Sequence, residues 1–198
     1  MSQTHDPSDM ITRFGTQITK VGGYFAVVPD LAAVRDYVAK LALAAKANQV
    51  VVCGPGIASD LFPSGAQMPF KVASSLNMDR RSFFEALQSA EIGISTADIG
   101  VAETGTLIIS TSDESDRLVT ALPIIHVAIL PRSNLVFSLE DGGQYISQIL
   151  MKDSKAVSIS LISASSRTSD IGGVTILGVH GPRELHVLLL DEELSGET

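Results

Sequence analysis

Glu103 is the first candidate for chemistry, because its carboxylate stands among small and apolar residues. It follows Val101 and Ala102 and precedes Thr104 and Gly105, with no basic residue nearby in the sequence. Carboxylates rarely occupy such surroundings without partners. Glu103 therefore either stabilises the turn by accepting hydrogen bonds from backbone N–H groups or takes part in catalysis, and the residues alone favour the structural role.

A polar loop at 163–170 is the second candidate. It contains Ser166, Arg167, Thr168 and Asp170. Hydroxyls, backbone N–H groups and one guanidinium can converge on a carboxylate or a phosphate. A solvated serine-rich loop is the alternative, and the sequence does not separate the two.

Three further residues have both a structural and a functional interpretation. His180 precedes Gly181 and Pro182 in a tight turn, where it is either a proton shuttle or a turn residue bonded to the backbone. Arg117 ends an acidic stretch, and it either takes part in a surface ion pair or is the cation that faces Glu103. His126 interrupts an apolar strand, which favours a core histidine over a catalytic one.

The elements that position these residues follow from the hydrophobic periodicity. Predicted helices cover 8–21, 31–45, 79–88, 118–122 and a segment that starts at a capping box, 138–141. Predicted strands cover 24–28, 49–53, 91–95, 106–111, 124–130, 135–137, 157–161, 176–179 and 185–190. Residues 57–76 are expected to form a loop with a short helix, and the Gly54-Pro55-Gly56 turn is a weak candidate for holding a phosphate.

Strands that alternate with helices predict an α/β fold with a mostly parallel central sheet flanked by helices. No repeat or linker divides the chain, so we predict a single domain over 1–198 with an acidic C-terminal tail. Ligands of such sheets gather beyond the carboxyl ends of the strands. We therefore expect the turn at Glu103, the polar loop at 163–170 and the turn at His180 to share one cleft at that edge.

Composition argues against several classes of function. The 198-residue chain has a net charge of −8, no Trp and 5% aromatic residues, which disfavours nucleic-acid binding. Its single cysteine, Cys53, ends an apolar run and is expected to be a buried thiol; one cysteine forms no internal disulfide and holds no iron–sulfur cluster. We find no zinc-ligand spacing, no membrane-spanning apolar run and no signal peptide, and we expect a cytoplasmic location.

Together the motifs resemble a known family. Residues 97–106, Ala-Asp-Ile-Gly-Val-Ala-Glu-Thr-Gly-Thr, are similar to the signature of the lactate-utilisation (LUD) domain, the family that includes lactate utilisation protein C. Arg117, Leu122-Pro123 and His126 continue the pattern, and residues 166–171 and 178–182 complete it. The resemblance covers about residues 79–190.

The resemblance implies a fold similar to the sugar-phosphate isomerase and coenzyme A transferase group. It also implies a role in converting L-lactate to pyruvate together with two iron–sulfur partner proteins. The lack of cluster-forming cysteines fits a cluster-free member of such a system, with no cofactor of its own. A small carboxylate is the expected ligand.

Two alternatives remain open. Related coenzyme A transferases use a glutamate in a Glu-x-Gly turn as a nucleophile, so Glu103 could act on an acyl-coenzyme A or a phosphorylated ligand. The chain could also be a non-catalytic ligand-binding module. The predicted catalytic residues are Glu103 and His180, and the predicted substrate- or anion-binding residues are Thr104, Gly105, Arg117, Ser166, Arg167, Thr168, Asp170 and Gly181.

Overall fold

The computed structural model of the chain describes residues 6–54, 60–63, 67–111, 113–151, 158–168, 176–177 and 181–191. The helices discussed below are α1 (Pro7–Lys20), α2 (Leu31–Ala45), α3 (Arg80–Gln88), α4 (Glu114–Val119) and α5 (Leu139–Met151). The strands are β1 (Tyr24–Val28), β2 (Gln49–Val52), β3 (Lys71–Ser74), β4 (Ile92–Thr96), β5 (Ile99–Val101), β6 (Thr106–Thr111), β7 (Ile125–Pro131), β8 (Leu135–Val136), β9 (Ser158–Ile162), β10 (Arg167–Thr168), β11 (Ile176–Leu177) and β12 (Glu184–Leu190).

Side-chain caps fix the helix starts. The Asp30 carboxylate accepts a 2.8 Å hydrogen bond from the Ala33 N–H at the start of α2. At the start of α5, the Asp141 N–H donates to the Ser138 hydroxyl, and the Ser138 N–H donates to the Asp141 carboxylate. This reciprocal pair is the predicted capping box, with aspartate as its acidic residue.

A six-stranded parallel sheet forms the centre of the molecule. Its strand order is β1-β12-β7-β4-β2-β3, and every neighbouring pair is parallel. Residues 50–52 of β2 are buried, as expected of a parallel strand that is covered on both faces.

A second sheet, of order β8-β5-β6-β9, packs against one face of the parallel sheet. Strands β5 and β6 form an antiparallel hairpin, and β6 also pairs antiparallel with β9. Leu107 and Ile109 point toward the parallel sheet. Gly142 of α5 lies against Val101 and Ile108 on the opposite face of the second sheet.

The parallel sheet buries apolar side chains on both faces. Helix α2 covers one face, where Val34, Val38 and Ala42 pack against strand residues such as Val127. Helix α1 and the second sheet cover part of the other face, where Phe14 and Ile18 pack against inward-pointing residues of β12. Helices α3 and α4 complete that face around Val51 and the buried Cys53.

These layers confirm the predicted α/β fold with a mostly parallel central sheet flanked by helices. The relationship to the coenzyme A transferase group stays a prediction. Within the described ranges, no helix has the length and apolarity needed to cross a membrane.

The structure corrects two predicted segments. Residues 71–74 form β3, an edge strand, where the sequence predicted loop; Pro69 and the short apolar run hid it. The helix expected at 118–122 instead covers Glu114–Val119, because the Asp113 side chain accepts from the Ser115 N–H and caps its start.

Two large apolar side chains within predicted elements are exposed. Phe84 is 40% exposed, whereas Phe83 and Leu87 pack inward. Leu161 is 53% exposed because it pairs with Ile108 on the outer face of the edge strand β9, which leaves its neighbour Ile162 to contact the core. Val157, the first residue of that predicted strand, lies outside the described residues.

Candidate functional site

Two of the three predicted polar segments meet at one cavity. We call it the hydroxyl cavity; it has a volume of about 250 Å³, and the residues that define it are 163–166, Gly181, Pro182, His126 and Thr120. The Ser166 N–H donates a 2.8 Å hydrogen bond to the Pro182 carbonyl, which joins the two segments. A Cβ on Gly181 would lie 3.0 Å from the Ser166 Cβ, so the close approach favours glycine.

The hydroxyl cavity lies near the amino ends of β7 and β12, not at the carboxyl edge that the sequence predicted. Thr120 precedes β7, and His126 and Leu185 are the second residues of β7 and β12. The expectation was wrong because residues 163–166 follow a strand of the second sheet, and Gly181 and Pro182 precede β12 instead of following a parallel strand.

A chain of hydroxyl groups connects the turn at 103–105 with the wall of this cavity. Thr106 Oγ1 is 2.7 Å from Thr104 Oγ1 and 2.8 Å from Ser163 Oγ. Thr106 is buried, so its hydroxyl needs these partners. Thr104 therefore supports Ser163 without lining the cavity itself.

Glu103 lies outside the hydroxyl cavity. Its backbone N–H donates to the Phe137 carbonyl at 2.9 Å, and its exposed carboxylate lies 3.5 Å from the Leu139 N–H at the start of α5. A carboxylate in that position is favourable for the helix dipole. The carboxylate thus faces the start of α5 and not its own turn, and the catalytic role of Glu103 stays a prediction.

Gly105 is needed for packing. Its φ of +69° is in the left-handed region, and a Cβ there would lie 2.8 Å from the Gln17 Cβ of α1. Its N–H donates to the Val101 carbonyl and closes the β5–β6 turn. The glycine thus allows α1 to pack against this turn.

The other predicted site residues are dispersed or lie outside the described residues. Arg117 lines a separate groove between α3 and α4, together with Arg80 and Glu114. The backbones of Arg167 and Thr168 form β10 and pair with β11, but their side chains are not described. Asp170 and His180 lie outside the described residues, as do Pro55 and Gly56 of the predicted glycine turn.

His126 is a cavity residue that the sequence prediction assigned to the core. It is buried, and its Nε2 lies 2.8 Å from the Ser95 hydroxyl, so the prediction of a satisfied histidine holds. Burial lowers the pKa of the imidazole to about 4, which keeps it neutral near pH 7. The sequence signal for its position in the cavity wall was that this polar residue interrupts an otherwise apolar strand.

This arrangement can bind a small polar ligand. The described lining residues carry hydroxyls at Ser160, Ser163, Ser165, Ser166 and Thr120, and none of them is charged at neutral pH. Hydroxyls, backbone N–H groups and a neutral imidazole can all donate to carboxylate oxygens. No three His, Cys, Asp or Glu side chains lie close enough to hold a metal ion in the part of the chain that the structure describes.

The chain is similar to proteins of one known family. The family model described as LUD domain matches residues 11–190. Lactate utilization protein C from Shouchella clausii is 32% identical over 117 residues, which cover 59% of this chain and 51% of that protein. The protein of the same name from Bacillus subtilis is 30% identical over 106 residues, which cover 53% of this chain and 44% of that protein. The chain thus spans about half the length of the curated relatives it matches.

One solved structure shares the fold. A DUF162 family protein from Deinococcus radiodurans superimposes with a TM-score of 0.64 at 18% identity, over 95% of this chain and 100% of that chain. At this identity the likeness concerns the fold alone.

Proposed function

The chain belongs to the LUD domain family, and from this membership we propose that it is a component of a lactate utilisation system. The observation that carries the proposal is the match of the family model over residues 11–190. The names of the curated relatives, lactate utilization protein C, support it.

The reaction we propose for the whole system is the oxidation of L-lactate to pyruvate. L-Lactate loses one hydrogen from its hydroxyl-bearing carbon and one from its hydroxyl group, which together are two electrons and two protons. The protons are released to water, and the electrons pass to iron–sulfur clusters in partner proteins. This chain contains one cysteine, whereas a cluster needs about four thiolates, so the clusters belong to the partners. The chain acts as the cluster-free component, in the cytoplasm.

Within that system, the hydroxyl cavity binds the small carboxylate. Its volume of about 250 Å³ is sufficient for a three-carbon acid, and its hydroxyls and backbone N–H groups are suitable donors. The described lining residues include no carboxylate that would repel an anion. Ser166 and Gly181 were also predicted from the sequence to bind the ligand. They belong to the two segments that meet beside the cavity.

Affinity purification tests the partnership. The tagged full chain is isolated from cells grown on L-lactate and, as a control, from cells grown on a sugar. We expect iron–sulfur proteins, identified by mass spectrometry and by their visible absorbance, in the first preparation. Recovery of the chain without such proteins would argue against the partnership.

Growth tests the role itself. Cells that lack only this chain should fail to grow on L-lactate, and the wild-type chain should restore growth. The variant Ser166→Leu should not restore growth because the larger side chain fills the hydroxyl cavity. Ser147→Leu introduces the same side chain on the exposed face of α5 and should restore growth. Normal growth without the chain, in cells with no paralogue, would contradict the proposal.

A further inference from the structure

A second cavity lies at the opposite edge of the parallel sheet, and Gly54 of the predicted glycine turn is one of its lining residues. We call it the switch-point cavity; its volume is about 150 Å³. It lies beside Gly54 after β2, Ser95 and Thr96 at the end of β4, Ser110 near the end of β6, and Asp116 on α4.

The topology makes this edge of the sheet a favourable place for a ligand. From β2 the chain continues to β3 on one side, whereas from β4 it continues toward β7 on the other side. The connections after β2 and β4 therefore diverge, which opens a crevice beyond the carboxyl ends of these strands. Open α/β sheets bind ligands at such switch points.

Two buried oxygen atoms near this cavity have no hydrogen-bond partner among the described residues. They are Thr96 Oγ1 and Asp116 Oδ1. Both residues line the cavity. Because buried polar atoms are almost always paired in folded proteins, these two oxygen atoms are acceptors that a bound donor can satisfy.

The lining chemistry restricts what that donor can be. The described lining residues include two carboxylates, Asp98 and Asp116, and no Lys or Arg, so an anion is disfavoured. Asp98 Oδ2 already accepts the Ser110 N–H. Burial raises the pKa of Asp116, which opposes the negative charge that a cation would need. The ligand must therefore donate hydrogen bonds and carry neither a negative nor a positive charge. An uncharged molecule with several hydroxyl groups meets these conditions.

We propose that the switch-point cavity binds a small uncharged polyol, whose hydroxyl groups donate hydrogen bonds to Thr96 Oγ1 and Asp116 Oδ1. The cavity volume equals the liquid volume of about five water molecules, which suits a polyol of about three or four carbons. This site is separate from the hydroxyl cavity and does not depend on the role in lactate utilisation. The hydrogen bond between Ser95 and His126 joins the walls of the two cavities.

Isothermal titration calorimetry of the full chain tests the proposal, with erythritol as the probe. We expect saturable binding that Thr96→Val and Asp116→Leu each weaken by about threefold to tenfold, the effect of losing one hydrogen bond. Thr12→Val and Asp36→Leu make the same changes on exposed faces of α1 and α2 and should leave the affinity unchanged.

Three results would overturn the proposal. Erythritol could give no saturable heat, or Thr96→Val could bind it with wild-type affinity. Alternatively, ethanolamine or L-lactate could bind more tightly than erythritol in a manner that Thr96→Val weakens. Circular dichroism checks the fold of each variant, and Thr96→Val decides the question if Asp116→Leu does not fold. L-Lactate binding that Ser166→Leu alone abolishes would leave the lactate proposal intact whatever erythritol does.

Discussion

The turn at 103–105 and the segments around the hydroxyl cavity both place a glycine beside hydroxyl side chains. At the turn, the missing Cβ of Gly105 leaves room for α1, whose Gln17 Cβ would lie 2.8 Å away. At the cavity, the missing Cβ of Gly181 leaves room for Ser166, and open space remains beside the two residues. The same residue types therefore serve packing in one region and enclose a ligand-sized space in the other.

The difference depends on what each segment faces. The turn joins two antiparallel strands of the second sheet and packs against α1. The cavity segments join different layers, because 163–166 leaves the second sheet and Gly181 leads into the central sheet. A gap between layers can bind a ligand, whereas a tight hairpin under a helix stabilises the fold.

The largest expected effect is on the stability of the protein, through the turn at 103–105. Gly105→Ala should lower the free energy of unfolding by about 2–4 kcal/mol, because it combines a left-handed φ with a close contact to Gln17. Gly143→Ala is the matched control: nothing lies within 4 Å of a Cβ there, and alanine favours a helix. Urea unfolding measures both. Equal midpoints for the two variants would contradict the packing role of Gly105.

The cavity side should respond to pH through His126. Burial lowers its pKa to about 4, whereas in the unfolded chain the pKa is near the ordinary value of about 6.5. The unfolded chain therefore binds the proton first, so the stabilisation is complete above about pH 6.5 and is lost as the pH falls toward about 4. The full loss is at most about 3 kcal/mol.

His126→Gln should flatten this dependence when unfolding is measured between pH 7 and pH 4. Part of the slope should remain, because burial also lowers the pKa of His186. Gly143→Ala should keep the wild-type slope. An unchanged slope in His126→Gln would mean that the imidazole is not held neutral beside the cavity.

Two pairs of hydroxyl groups link β6 to residues 158–163, and they distinguish support of the cavity from support of the second sheet. Thr106 bonds Ser163 at the cavity end, and Thr111 bonds Ser158 at the other end, at 2.8 and 2.9 Å. Thr106→Val and Thr111→Val should each cost about 1 kcal/mol of stability. Only Thr106→Val should weaken L-lactate binding, by several fold in calorimetry, and equal weakening by both would remove the specific link to the cavity.

The smallest expected effect concerns Glu103. Glu103→Gln should change the free energy of unfolding by less than about 0.5 kcal/mol, because the side chain is exposed. It should also leave L-lactate binding unchanged. The catalytic prediction for Glu103 is tested separately, by incubation with an acyl-coenzyme A and hydroxylamine: inactivation and a mass change at Glu103 in the wild type, both absent in Glu103→Gln, would confirm it.

Local patterns were sufficient to predict much of the fold. The strand at 24–28 and the helix at 31–45 occupy the predicted residues, because an apolar stripe and the Asp30 cap define them within the segment itself. The capping box at 138–141 is likewise local. These features depend on neighbours within about one helical turn, which the sequence shows directly.

Features that depend on distant partners were missed. Strand β3 forms because it pairs with β2, and Leu161 is exposed because β9 lies at a sheet edge. The site was predicted in part: Ser166 and Gly181 meet, but the second sheet turns Glu103 away from them and brings His126 into the wall. The way in which the two sheets pack together decides these contacts, and short patterns in a single sequence do not show that packing.

The most direct test of a small-carboxylate site in the hydroxyl cavity is an NMR titration of the isotope-labelled full chain with L-lactate. Saturable shifts should occur at the amides of 163–166 and Gly181 and at the His126 ring, and the amide of Glu103 should not shift. Shifts confined to other regions, such as the groove of Arg80 and Arg117, or no saturable shift at all, would contradict the assignment.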